Sequence, residues 1–247
     1  MILRLQDLHK AYRRAGARRV ALEGVSLEVA RGEMVGIFGP AGAGKTTLLR
    51  LAAGLEAPDD GWVSYNGERL DRMRPRRRTR YLRREVGCVW SGQQWSEGLS
   101  VLEHVALPLL IDGCDHRTAE QMARRLLLAC DSADCVDSEL AELSDGERQL
   151  VAIATALVTE PRVLLVDGAI ANLSLLEQNR VMALLSSLAN EARLAVVVTG
   201  AQAATMPHTD RLFYMRDGSL INGQPASELG QILDFPTAAS RRAAANA

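Results

Sequence analysis

Along the first third of the chain, apolar and polar positions alternate. Ile2-Leu3-Arg4-Leu5, then Val20-Ala21-Leu22-Glu23-Gly24-Val25-Ser26-Leu27-Glu28-Val29, then Gly61-Trp62-Val63-Ser64-Tyr65 carry a period of two, and Asn66-Gly67 follows as a turn. This pattern predicts an antiparallel β layer. Val35-Gly36-Ile37-Phe38 reads as a further strand, and residues 46–53 as a helix. From about residue 99 to 143 the period becomes helical, with Val101, Val105 and Leu109 on one face and Met122, Leu126 and Leu127 on another. Ala152-Ile153-Ala154-Thr155-Ala156-Leu157 continues as helix. Val163-Leu164-Leu165-Val166 and Ala195-Val196-Val197-Val198 are continuous apolar runs of the kind buried on both faces of a parallel sheet. The fold class is therefore α/β with a helical insertion in mid-chain. There is no internal repeat, and from Gly223 onward the chain thins into Pro, Ala, Ser and Arg, so a frayed tail is expected over residues 238–247.

Composition narrows the class. With 247 residues, 47% of them hydrophobic, the chain can bury one large core or a core with a subdomain. No apolar run approaches ~18 residues, and the first residues lack the charged-then-apolar layout of a secretory signal. Cys88, Cys114, Cys130 and Cys135 have no metal-ligand spacing and are read as free thiols in a reducing compartment. A net charge of −1 gives no overall basic field for nucleic acid. The dense run Arg72, Arg74, Arg76, Arg77, Arg78, Arg80, Arg83 and Arg84 is read as a solvated face, because Tyr81 is the one aromatic there that could stack on a base.

The chemistry is announced by Gly39-Pro40-Ala41-Gly42-Ala43-Gly44-Lys45-Thr46, which fits the phosphate-binding pattern G-x-x-x-x-G-K-[ST] between a strand and a helix. Its glycines let backbone N–H groups turn toward phosphate oxygens, Lys45 supplies a point charge, and the Thr46 hydroxyl suits Mg²⁺. Only Lys10 and Lys45 are lysines among 29 basic residues, so a lysine inside this loop is less easily background. Asp167 ends an apolar strand, where a carboxylate can reach the same cation. Ser144 followed three residues later by Glu147 is a capping box that starts a helix.

Together with Leu143-Ser144-Asp145-Gly146-Glu147-Arg148-Gln149 and Pro161-Arg162-Val163-Leu164-Leu165-Val166-Asp167, the loop resembles the nucleotide-binding subunits of ATP-binding cassette (ABC) transporters across residues 1–222. Residues 98–109 resemble the branch serving lipoprotein release, macrolide efflux and cell division. The resemblance implies a P-loop NTPase (RecA-like) core over about 1–90 and 158–222, a helical subdomain over about 91–157, and a C-terminal extension over 223–247. It implies ATP and Mg²⁺ as ligands, with Tyr12 stacking on adenine, Gly39, Gly42, Gly44, Lys45, Thr46 and Thr47 holding the phosphates, and Thr46 and Asp167 on the metal. Ser144, Gly146 and Glu147 would face the ATP of a partner subunit; Asp145 replaces the commoner glycine there.

The resemblance fails where hydrolysis is done. Gly168 stands where the family has its general-base glutamate, and Gly200 where it has the histidine that contacts the γ-phosphate. Ser91 replaces the glutamine that couples metal and water to the helical insertion, with Gln93 and Gln94 nearby, and Ser174 replaces the aspartate after Asn172-Leu173. His208 is too far downstream to substitute and is expected on the surface. The reading is an ATP-binding subunit impaired in hydrolysis, peripheral on the cytoplasmic face of a membrane, paired with a different, complete cassette chain and a permease seated over the helical insertion. Two others are a homodimeric ATP-dependent switch on a membrane partner, and a soluble cassette on nucleic acid, which a single phosphate loop disfavours.

Overall fold

In the computed structural model, which describes residues 1–14, 16–92, 95–96, 98–168, 170 and 173–225, the alternating N-terminal segments form strands as their period demands. β1 (Leu3–Arg14), β2 (Ala17–Val29) and β3 (Met34–Phe38) lead into helix α1 (Lys45–Ala52). Strands β4 (Asp60–Tyr65) and β5 (Glu68–Arg69), helix α2 (Pro75–Glu85) and strand β6 (Val86–Trp90) follow. Three helices come next: α3 (Val101–Ile111), α4 (His116–Ala129) and α5 (Asp145–Leu157). The chain returns through β7 (Val163–Asp167), α6 (Leu175–Ala192), β8 (Ala195–Gly200), β9 (Arg211–Arg216) and β10 (Ser219–Pro225).

One sheet is antiparallel, in the order β2-β1-β4-β5, and the other runs β10-β9-β3-β8-β7-β6, parallel except at its β10 edge. The parallel strands are covered on both faces, and the period of two divides their side chains between two cores. Leu164, Val166, Val196 and Val198 face the helical side with Val105, Leu127 and Ile153. Val163, Leu165, Ala195 and Val197 face the other way, onto α1 and the antiparallel sheet, with Leu3, Leu5, Leu48 and Tyr65. That is why these two runs read as continuously apolar.

Differences from the sequence reading are local. Helix α1 begins at Lys45, one residue early, because Gly44 at its N-cap adopts φ +110 and an added Cβ there would lie 2.4 Å from the Ala21 carbonyl oxygen. The arginine run, given no element from sequence, forms α2, started by Pro75 and burying none of its residues. Strand β10 carries the sheet to Pro225, across the 222/223 boundary, while the tail expected at 238–247 lies outside the described residues.

Tyr65 is fully buried, and its hydroxyl donates to the Ala52 carbonyl at 2.6 Å, pinning the end of α1 to β4. Tyr65→Phe leaves that carbonyl without its buried partner and should lower the unfolding free energy by about 1–2 kcal/mol in urea titration. Helices α3, α5 and α6 each start with a capping box, Ser100/Glu103, Ser144/Glu147 and Ser174/Glu177. Hydrogen bonds from the N-cap serines hold all three glutamates below the usual carboxylate range. A depressed folded value means the contribution is complete above the unfolded pKa of about 4.3 and is lost as pH falls through the lower folded value. Denaturation followed against pH should therefore show an acid limb below about pH 4.3 that flattens in Glu103→Gln.

Candidate functional site

The phosphate-binding pattern closes the end of β3 and opens α1, so the first-turn N–H groups of α1 point into the loop's concavity. Lys45 Nζ donates to the carbonyls of Gly39 at 2.7 Å and Pro40 at 2.9 Å, folding back over the loop. Burial pulls its ammonium below the ordinary lysine value, opposed by the charge of Asp167. A cleft of about 480 Å³ is lined by Tyr12, Arg19, Ala21, Ala41, Gly42, Gly44, Lys45, Thr46 and Thr47. Tyr12 is anchored there by donating its hydroxyl to Glu56 Oε2 at 2.5 Å. Arg19 was not singled out from sequence; its guanidinium lies 2.8 Å from where a Cβ on Gly42 would be. No spacing rule links β2 to the loop, so only the fold brings it there.

Asp167 ends β7 with 4% of its surface exposed, and its two oxygens are held by different hydroxyls. Thr46 Oγ1 donates to Oδ2 at 2.8 Å, and Thr199 Oγ1 to Oδ1 at 2.7 Å. Thr199, also missed from sequence, accepts in turn from the Gly168 N–H at 3.0 Å. Backbone bonds complete the tie: Gly39 N–H to Gly200 O at 3.3 Å, and Ser91 N–H to Asp167 O at 2.9 Å. The ends of β3, β8, β7 and β6 thus bring Gly39, Gly200, Asp167, Gly168 and Ser91 to one edge, the carboxyl ends of the parallel strands, where ligands of open α/β sheets bind.

Beside that edge lies a second cleft of about 280 Å³ lined by Trp90, Ser91, Gly92, Trp95, Asp145, Arg148, Gln149, Ala152, Gly168 and Leu173. Among the described residues that line it there is no glutamate or histidine. Asp145, the one carboxylate among those described residues, accepts from Arg148 Nη1 at 3.3 Å. Gln149 Nε2 is buried without a hydrogen-bond partner among the described residues. Gly168 sits at φ +61, and Gly200 is covered by Met206, whose Cε would lie 2.5 Å from an added Cβ. His208 is exposed. Gln93, Gln94 and Asn172 lie outside the described residues.

Ser144 and Glu147 form the capping box at the start of α5: Ser144 N–H and Oγ both donate to Glu147 Oε2 at 2.8 Å, and Ser144 Oγ accepts from the Glu147 N–H at 3.3 Å. Gly146 is buried in the first turn. Ser174 caps α6 in the same way. Along α2, Arg76, Arg80, Arg83 and Arg84 line a groove with Ile111 and Asp112, and Arg83 pairs with Asp112 at 2.5 Å. All four cysteines are free. Among the described residues, no group of three or more His, Cys, Asp or Glu side chains could hold a metal, and no helix is long and apolar enough to cross a membrane.

Residues 22–171 match the family described as ABC transporter. Over 219 residues the chain is 36% identical to the lipoprotein-releasing system ATP-binding protein LolD 2 of Caulobacter vibrioides, covering 89% of this chain and 96% of that one. It is 34% identical to LolD of Chromohalobacter salexigens over 220 residues, 89% and 93% of the two chains. Among solved structures, the dimeric ATP-binding cassette MJ0796 bound to ADP and Pi superposes with a TM-score of 0.83 at 27% identity, covering 91% of this chain and 99% of that one. With the phosphate loop, the strand-end aspartate and the capped α5 assembled in one fold, the chain belongs to the ABC transporter family, as one of its ATP-binding subunits.

Proposed function

We propose that this chain holds Mg·ATP in a site that hydrolyses it slowly, and that it works on the cytoplasmic face of a membrane with a permease and a second, catalytically complete cassette subunit. One observation carries the reading: Lys45, Thr46 and Asp167 are assembled, while Gly168, Gly200 and Ser91 put no carboxylate, imidazole or carboxamide at the same edge. The residues present fit the ligand. Thr46 Oγ1 and the Asp167 carboxylate are hard oxygen donors already side by side, the set that suits Mg²⁺. When bound, the cation offsets charge on the terminal phosphates. Lys45, whose ammonium satisfies itself on its own loop's carbonyls, is placed to exchange them for phosphate oxygens, and Tyr12 lines the same cleft, available to the base.

The deficit falls on the attack. A positioned general base contributes a factor of about 10²–10⁴, or about 3–5.5 kcal/mol of barrier. Positioning and charge stabilisation remain through Lys45, so a trace rate survives. Retention of Ser144 and Gly146 on a capped helix supports a role at the partner's nucleotide, since a helix N-terminus offers free N–H groups to an anion. The LolD proteins are named for lipoprotein release, which makes a lipoprotein-handling permease the first partner to seek.

Purified alone, the chain should bind a fluorescent ATP analogue with Mg²⁺ yet release phosphate barely above background. Lys45→Ala should weaken binding about 10- to 100-fold, the loss of a charge-assisted hydrogen bond. Vigorous phosphate release that Lys45→Ala abolishes would overturn the reading. Isolation with native companions separates the paired arrangement from a homodimeric switch, which would bring down no second cassette chain.

The structure also bears on restoring the missing groups. At φ +61, a glutamate in place of Gly168 strains the backbone by about 1–2 kcal/mol, or rotates the peptide whose N–H holds Thr199. Gly168→Glu should therefore lower the unfolding free energy by about that amount. Combined with Gly200→His, it should raise turnover less than about tenfold, well short of a general base's usual effect. Denaturant titration and phosphate release measure both quantities. A gain above about a hundredfold at unchanged stability would show that the backbone accommodates the side chain.

A further inference from the structure

The start of α5 carries a feature that the site described above does not use. Glu177, at the third position of α6, lies across it: a Cβ built on Gly146 would be 2.5 Å from Glu177 Oε1 and 2.9 Å from its Cδ and Cγ. The carboxylate therefore lies directly against Gly146 in the first turn of α5. The other oxygen, Oε2, accepts from Ser174 N–H at 2.9 Å and Ser174 Oγ at 2.7 Å. One side chain thus caps its own helix and packs against the first turn of the preceding one.

The surroundings sharpen the effect. Asp145 and Glu147 also lie in the first turn of α5. Glu147 is spent on its own cap, and Arg148 on Asp145 and the carbonyls of Leu140 and Ala141. Arg180, one turn along α6, is bound by Asp131. A helix N-terminus attracts negative charge, and here the chain supplies that charge itself. A second anion arriving at Gly146 must displace the Glu177 carboxylate or meet its repulsion.

We propose that Glu177 is a positioning residue that keeps the start of α5 filled in the free chain, so that its displacement sets how readily this subunit closes onto the phosphates of a nucleotide-loaded cassette. This rests on the reading of Ser144 and Gly146 as the partner-facing end. It makes pairing, rather than nucleotide binding in the chain's own loop, the step that Glu177 controls.

The test uses the full chain with ATP and Mg²⁺, following nucleotide-driven self-association by sedimentation. Glu177→Gln keeps the cap geometry, because glutamine also serves in a capping box, and removes the charge. It should tighten association at least about tenfold at low salt, and the difference should shrink as the ionic strength rises through about 0.5 M. Equal association of the two proteins, with ATP bound equally by both, would overturn the inference. Hydrogen exchange gives an arm independent of nucleotide: the Gly146 amide should exchange faster in Glu177→Ala, and an unchanged rate would also overturn it. Failure of the wild-type chain to bind ATP would count against the proposed function alone, since the exchange arm still decides whether Glu177 guards Gly146.

Discussion

A buried carboxylate cannot stay charged without hydrogen bonds, and Asp167 meets that demand with two hydroxyls from opposite sides. Thr46 reaches it from the phosphate loop and Thr199 from the neighbouring strand, so one charge ties together the ends of β3, β8 and β7. Thr199 also receives the Gly168 N–H, which fixes the chain just beyond the aspartate in a left-handed turn. The loop, the strand-end carboxylate and Gly168 are therefore set by one relay, and a change at any member is felt at the others.

The groups that grip come from the loop, the helix end and the strand-end carboxylate, all needed to satisfy the buried charge and the loop's own backbone. Gly168, Gly200 and Ser91 contribute no side chain to the relay, which holds Gly168 through its backbone N–H. Gly168 adopts a backbone conformation suited to glycine, and Met206 fills the space over Gly200. At the corner where α5 and α6 meet, Glu177 caps its own helix and packs against Gly146 in the first turn of α5.

The two apolar runs gave away β7 and β8 because every residue in them is buried, alternately on two cores, and the N-terminal alternation gave away β1, β2 and β4 for the converse reason. The arginine run hid α2, since Tyr81 and Leu82, its partly buried apolar residues, are too few to set a readable period. Of the site, Lys45, Thr46, Asp167, Ser144 and Glu147 were legible because each belongs to a short spacing whose chemistry is local. Arg19 and Thr199 were not, because each acts across strands far apart in the chain.

Sequence by itself determined the α/β class, the phosphate loop, the capping box of α5 and the residue types at positions 91, 168, 174 and 200, all of which are properties of residues within a few positions of one another. Tertiary structure alone decided the hydroxyl relay on Asp167, the left-handed backbone at Gly168 and the reach of Glu177 to Gly146. Those depend on which strand ends and helix starts lie side by side, and on angstrom-scale gaps between them that no one-dimensional pattern encodes.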